Sequence, residues 1–355
     1  MDFDAVRQSM DWSSDPRQCR NDNCKIQFEV KMRICILSDE EITDFNPAPF
    51  MQGYDWEMVT MTDPVMDVLR ALDARKEFDI YMNLCEGYDN DGDNDDERGY
   101  EAIEVVRALE ALNLPFTGAD STCFDPTREE MQAVAEANGI GFAKGYRVKS
   151  VEEAERLVKN LRYPIMVKHP KSYGSTGMIR ESRVDTPEQL TEQVQRVCAE
   201  FGAARMEEFI VGKEYNVLVV DNPDDFSDPI AYPPAELVFP PGEEFWHVDV
   251  KWNYDVIFDF KQVTDPELVT RLHDIAKRMY LAMGVRGYGR CDIRVNDKGE
   301  LFILEINPNG GIMFKPEEYG PADYMVLYDA GGYKVFFDRM FESALARQKM
   351  RAAAG

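Results

Sequence analysis

The densest grouping of chemically capable side chains is the run GRCDIRVNDKGELFILEINPNGG, residues 289–311. Asn296-Asp297-Lys298-Gly299 is a turn signal between two alternating apolar runs, so the stretch predicts a hairpin. Pairing symmetric about that turn sets Arg290 opposite Glu305 and Asp292 opposite Ile303. Strand period two then gathers Arg290, Asp292, Glu305 and Asn307 on one face. Two carboxylates and an amide oxygen are hard donors, suited to Mg²⁺ shared with the phosphates of a substrate. A guanidinium beside them can stabilise charge on a phosphoryl group in transfer. The same spacing also describes an exposed polar sheet face held by ion pairs, with Ile293, Ile303 and Ile306 interleaved.

A second group centres on Lys168, at the end of the apolar run YPIMVK and just before Gly174, Ser175, Thr176 and Gly177. Backbone N–H groups of a Gly-rich turn and one ammonium can cradle phosphate. The motif is neither a P-loop nor a dinucleotide fingerprint, because G-x-x-x-x-G-K-[ST] and G-x-G-x-x-G in a βαβ setting are both missing. A turn with no ligand satisfies the same residues. MEEFIVGKE (206–214) reads as an ordinary strand–turn–strand, and Lys251 in VDVKW as a surface lysine.

These residues need elements to hold them. Strands at 32–37, 78–84 and 114–118 alternate with helices at 64–75 and 99–113, which predicts a small open α/β lobe. From about 121 the pattern changes. A helix at 127–138 stops at Gly139, and a second starts at Ser150 with a capping box. A strand at 163–170 and another after the Gly-rich turn follow, then a helix at 186–200 and strands at 204–210 and 214–220. Pro223, Pro229, Pro233, Pro234, Pro240 and Pro241 predict an irregular loop or lid over 221–247. A helix at 265–283, strands at 287–295 and 300–307 and a helix at 321–347 complete the chain. The expected division is an extension (1–30), an α/β domain (31–120), a central lobe (121–210) and a C-terminal lobe (211–355).

The 355 residues carry 40 Lys plus Arg against 66 Asp plus Glu, a net charge of −26. Such a chain repels nucleic acid and anionic membrane surfaces, so any anion site must be a local cationic pocket. No apolar run reaches the ~18 residues of a membrane span. The N-terminus lacks the basic and apolar regions of a signal peptide, so a cytoplasmic location is expected. The seven cysteines are scattered and read as reduced thiols, and Cys19 and Cys24 lack the other half of a zinc site. The acidic run 89–97 fails the EF-hand spacing: with Gly92 at position 6, position 1 would be Gly87. A solvated loop is expected there. His169 and His273 suggest no catalytic duty, and His247 sits at the end of the Pro-rich stretch.

The order of these motifs is more specific than any one of them. Lys with a Gly-rich turn, then E-E-F-I-x-G-K-E, then R-x-D, then E-I-N resembles the ATP-grasp superfamily. Within it, the resemblance is to the D-alanine–D-alanine ligase-like branch of carboxylate–amine ligases, over roughly 31–345. FDIYMNLCEG and LEALNLPFTG are similar to parts of the family's first domain. The resemblance implies a three-lobed α/β (α+β) ATP-grasp fold, with an N-terminal pre-ATP-grasp domain and ATP between the central and C-terminal lobes.

It also implies roles. Lys168 and Arg128 would contact phosphates, Arg128 standing where the family has Lys. Gly174, Ser175, Thr176 and Gly177 would close over them. The backbone of Glu207, Glu208, Phe209 and Ile210 would read adenine, and Glu214 would bind the ribose hydroxyls. Lys251 would act on the phosphate side of the lid. Asp292, Glu305 and Asn307 would hold two Mg²⁺, with Mn²⁺ an alternative. Arg290 would stabilise the acyl-phosphate and the tetrahedral intermediate. The implied reaction joins a small-molecule carboxylate to an amine with release of ADP and phosphate; a homodimer is possible.

Two segments depart from the branch. SDEEITDFNP (38–47) replaces the Gly-rich, Glu-containing motif that orients the first substrate. NPNGGIMFKP (307–316) replaces the Ser-containing segment that holds the second, with Lys315 as a substitute carboxylate contact. Trp252 stands in place of the lid Tyr. The expected outcome is conserved ATP chemistry with rebuilt amino-acid pockets. The alternatives are a D-alanine–D-alanine ligase proper, a phosphotransferase, or a non-catalytic ATP-binding module.

Overall fold

A computed structural model describes residues 32–39, 47–85, 100–171, 175–251, 259–316 and 318–354. The extension 1–30 with Cys19 and Cys24, the acidic run 89–97, residues 40–46, Gly174 and Trp252 lie outside the described residues, as does the side chain of Lys251. Met32–Gly355 forms one compact unit.

Strand β1 (Arg33–Ser38) is the centre of a parallel sheet, flanked by β2 (Asp55–Thr60) and β3 (Ile80–Asn83). Its run of apolar residues suits a strand covered on both faces. Cys35 and Leu37 pack under helices α1 (Val65–Arg75) and α2 (Ala102–Ala111). Ile34 and Ile36 face the other way, into a core shared with the C-terminal helix. Phe116 of the expected strand at 114–118 makes only a single parallel bridge, to Tyr81. Nothing in the sequence pattern announced β2. Asp-Trp-Glu-Met-Val-Thr is a half-exposed edge strand and needs no clean apolar face.

A four-stranded antiparallel sheet has the order β4 (Gly145–Val148), β7 (Ala204–Glu208), β5 (Ile165–Lys168), β6 (Arg183–Val184). Helices α4 (Val151–Leu157) and α5 (Pro187–Phe201) cover one face. The start and stop of α5 are written in its sequence: Thr186 and Gln189 form a capping box, Pro187 opens the helix, and Gly202 ends it at φ 73°.

The largest sheet holds β8 (Gly212–Val220), β9 (Ile230–Ala231), β10 (Ala235–Val238), β11 (Asp259–Gln262), β12 (Tyr288–Asn296) and β13 (Leu301–Pro308). Its order is β11-β10-β8-β12-β13, with β9 on β8. The Pro-rich interval 221–247 is therefore not irregular throughout. Pro233-Pro234 and Pro240-Pro241 bracket β10 without entering it, so the ladder loses no donor. A short helix α6 (Val248–Lys251) follows this interval.

Helices α3 (Arg128–Ala137) and α7 (Pro266–Met283) cover one face of this sheet. The opposite face meets α8 (Pro321–Tyr328) and α9 (Gly332–Ala354). The single helix expected over 321–347 is thus two. Asp329 Oδ2 accepts from Gly331 N at 3.0 Å in the break between them. No helix among the described residues is long and apolar enough to cross a membrane. Cys35, Cys85, Cys123 and Cys291 are buried free thiols, and Cys198 is a partly buried one.

Candidate active site

The β12–β13 hairpin forms, but not in the symmetric register. Gly289–Asp292 pairs with Pro308–Glu305, whereas Ile293 pairs with Ile303, leaving Leu304 as an extra residue. Asp292 therefore stands opposite Glu305, and Arg290 opposite Asn307. Had the Ile293–Ile303 register run on unbroken, Glu305 would face Cys291 and the apolar core. The bulge inserts one residue, restores the parity and returns the carboxylate to the polar face. Cys291, Ile293, Ile303 and Ile306 are fully buried on the other side.

The polar face continues onto β8, where Asn216 pairs with Asp292 and Glu214 with Arg294. Asn216 and Arg294 were not among the residues singled out from the sequence. Arg294 continues the alternation Arg290, Asp292, Arg294, which was the available signal. Arg290 donates twice to Asp292, at 2.8 and 3.1 Å. Asn216 Nδ2 donates to Asp292 Oδ1 at 2.7 Å, and Asn307 Nδ2 to Asp292 Oδ2 at 3.2 Å and Glu305 Oε1 at 3.4 Å.

The central sheet and α3 supply the cations. Arg128, in the first turn of α3, pairs with Glu305 and donates to the Lys171 carbonyl at 3.2 Å. Lys168, at the end of β5, pairs with Glu207 at 2.5 Å. Glu207 also binds the fully buried Arg205 at 2.7 Å, which reaches Glu129 at 2.8 Å. Of the hinge residues 207–210, whose backbone is expected to read adenine, Glu207 thus turns its side chain to Lys168, whereas Glu208 turns outward to Arg162 at 2.8 Å. Phe209 packs with Met166 and Phe245, and its N–H is taken by Pro164 O at 2.9 Å.

Charge and burial set the protonation of this group. Burial pushes Glu305 up, but Arg128, Lys168 and Arg290 outweigh it and hold the carboxyl at about 2. Burial raises Asp292 and is only partly offset by Arg290. Glu207 stays below the ordinary carboxylate range, because Lys168, Arg205 and Arg128 outweigh its burial. Burial lowers Lys168, with Glu207 opposing.

Ser175, Thr176 and Gly177 make the turn after Lys168. Met178 N donates to Ser175 O at 3.0 Å, and Gly177 takes φ 68°. A Cβ at Gly177 would meet the Phe201 ring at 2.6 Å, so this position requires glycine on two counts. Lys251 ends α6, beside the Pro-rich segment.

The donor set fits a divalent cation. Asp292 and Glu305 face each other, and turning the Asn307 amide over presents a third hard oxygen to the same point. Asn216 Oδ1 is buried beside them with no hydrogen-bond partner among the described residues, which leaves one more oxygen for a cation or its water.

Residues 133–314 match the family model described as D-ala D-ala ligase C-terminus. The chain belongs to that family. It is an enzyme, an ADP-forming ligase of C–N bonds. A D-alanine–D-alanine ligase B of Chromobacterium violaceum is 25% identical over 251 residues, which cover 68% of this chain and 75% of that protein. The solved D-alanine–D-alanine ligase of Coxiella burnetii superposes with a TM-score of 0.64 at 15% identity, covering 91% of this chain and 97% of that one. The Bacillus anthracis D-alanine–D-alanine ligase complexed with ATP gives a TM-score of 0.63 at 18% identity, covering 91% and 99%. The fold is ATP-grasp, as the motif order implied.

Proposed function

We propose that this ligase joins an amino acid or specialised metabolite through its carboxylate to an amine, with substrates other than two D-alanines. The observation that carries the chemistry is the single polar face on which Arg290, Asp292, Glu305 and Asn307 meet, with Lys168 and Arg128 brought against it. ATP would lie between the sheet of 145–208 and the sheet of 212–308. The divisions of this reading are an extension (1–30) and domains 31–120, 121–210 and 211–355, with the Pro-rich stretch 221–247 as the lid and its part 239–247 as the covering strap.

Asp292, Glu305 and Asn307 would hold divalent cations, two Mg²⁺ in this reading. Bound there, they neutralise phosphate charge and act as Lewis acids on the transferred phosphoryl group. Lys168 and Arg128 give up their carboxylate partners to the phosphates, and Ser175 to Gly177 supply backbone N–H groups around them. The acid's carboxylate oxygen attacks the γ-phosphorus of ATP, the bond to the β-phosphate oxygen breaks, and ADP leaves. The amine then attacks the acyl-phosphate carbonyl, phosphate departs, and the amine proton is lost. Arg290 would stabilise the oxygen that becomes negative in this second step. Closure over the site keeps water from the acyl-phosphate.

The preference against D-alanine rests on the acceptor side. Residues 308–316, PNGGIMFKP, contain no Ser or Thr hydroxyl, and Ile312 and Met313 are buried. D-alanine–D-alanine ligation is served equally well by the same polar face, so it stands as the second reading. A screen of amino acids and small carboxylates, singly and in pairs, for ADP and phosphate release decides between them. Faster ADP release with D-alanine alone than with any other pair would overturn the first reading. ADP release at full rate without any amine, with a phosphorylated product accumulating, would overturn ligation altogether.

A further inference from the structure

Arg294 is a buried cation in an unusual place. It is 2% exposed and lies on the polar face directly opposite Glu214. Its guanidinium addresses three separate segments. Nε donates to Glu214 Oε2 at 3.0 Å, on β8. Nη1 donates to the Ile210 carbonyl at 3.0 Å, in the turn between β7 and β8. Nη2 donates to the Glu244 carbonyl, in the Pro-rich stretch. The guanidinium carbon also lies 4.5 Å from the centre of the Phe209 ring and 6.0 Å from that of Phe239.

Packing alone does not require this arrangement. An apolar side chain of similar length would fill the space without the desolvation of a charge. What arginine adds is a planar fork that can satisfy a carboxylate and two carbonyls at once, which lysine cannot do from one geometry. The Glu244 end is fastened on its other side too. Glu244 pairs with Arg183 at 3.3 Å, Glu243 binds Arg180 and His247, and Val248 N donates to Met178 O at 3.0 Å. Residues 243–248 therefore join Arg294 to the segment just beyond Gly177.

We propose that Arg294 is a positioning residue for the sugar of the nucleotide. It pins one oxygen of Glu214, leaving Oε1 aimed at the ribose hydroxyls, and locks the hinge and the strap to that carboxylate. Sugar recognition and strap placement then form one unit. This rests on the ATP-dependent reading above.

The test is calorimetric binding of ATP, 2′-deoxy-ATP and 3′-deoxy-ATP, each with Mg²⁺, to the full chain. A carboxylate–hydroxyl bond that is properly aimed favours ATP over the weaker-binding deoxy analogue by about tenfold or more. Arg294→Met should bring that ratio close to one, as should Glu214→Ala, and the double variant should lose nothing further. Arg294→Lys should fall between, since it keeps the charge and loses the fork. A native ratio in Arg294→Met, even with weaker ATP binding overall, would assign Arg294 to packing and overturn the proposal. If Arg294→Met does not fold, Arg294→Lys decides: an unchanged ratio there overturns it. A wild-type chain that binds no ATP refutes the nucleotide reading itself, whereas ribose preference surviving at Arg294→Met refutes only this inference.

Discussion

Asp292 and Glu305 face each other across β12 and β13, and one amide nitrogen, Nδ2 of Asn307, donates to both. Arg128, Lys168 and Arg290 outweigh the burial of Glu305 and hold its carboxyl below the ordinary carboxylate range, which favours the ionised form at neutral pH. Glu305→Gln removes that charge while keeping the shape. Divalent-cation-supported ADP release should fall about 100-fold or more. The far-UV circular dichroism should stay native. Turnover within a few-fold of wild type would show that the metal face is elsewhere.

Arg290 has both carboxylate bonds on Asp292 and lies beside the turn after β13, where a Cβ on Gly310 would be 4.0 Å from Nη1. Arg290→Ala should lower kcat by about 10²- to 10³-fold, with ATP binding changed far less. Arg290→Lys should recover little, because the bidentate fork is lost. Calorimetry alongside steady-state kinetics separates the two effects. A change confined to ATP affinity would move Arg290 from the chemistry to nucleotide binding.

Glu207 is the shared counter-charge of Lys168 and Arg205; Glu207 and Arg205 are buried and Lys168 is mostly so. Glu207→Gln leaves two buried cations short of an anion. It should destabilise the chain by about 3–5 kcal/mol, readable in urea unfolding. Lys168→Met should do less to stability and more to ATP, weakening its binding roughly tenfold or more. The reverse pattern would mean that Lys168 serves the fold and Glu207 the ligand.

How far these relationships could be read in advance depends on range. The strands of the hairpin were visible because the Asn296–Gly299 turn and apolar alternation are local. The bulge was not, since Leu304 looks like any other apolar strand residue and only pairing reveals it as the extra one. Arg294 was passed over because its partner Glu214 is 80 residues away, on a strand whose neighbour the sequence does not name. The Ala235–Val238 strand was hidden by the prolines that bound it. Arg128 was expected on phosphate, and its pairing with Glu305 follows from α3 packing on the C-terminal sheet rather than with the central lobe.

His273, on α7, is half-buried with Nε2 at 3.0 Å from the Tyr232 carbonyl. Burial lowers its pKa below the ordinary 6.5, with the hydrogen bond opposing. A depressed folded-state pKa means that the unfolded chain takes up the proton first. The neutral ring's contribution is therefore present above 6.5 and lost as pH falls through and below that value. Thermal unfolding of wild type and His273→Gln should differ at pH 7.5 and converge by pH 5. A gap that is constant with pH would show that titration of His273 plays no part.

Asp323 holds the segment in which the acceptor pocket is proposed. It is fully buried and accepts from Met313 N at 2.6 Å, Gly320 N at 2.9 Å, Phe314 N at 3.4 Å and the Tyr333 hydroxyl. One carboxylate thus ties the middle of the loop that follows β13 to that loop's C-terminal end. Asp323→Ala strands several buried donors at once and should destabilise by about 3 kcal/mol or more. Asp323→Asn keeps one acceptor oxygen and should lie between. If the loop forms the amine pocket, Asp323→Asn should raise KM for the amine about tenfold or more with ATP binding unchanged. An equal effect on ATP would mean that the clamp serves the whole cleft. An unchanged amine KM would place the acceptor pocket away from residues 308–316.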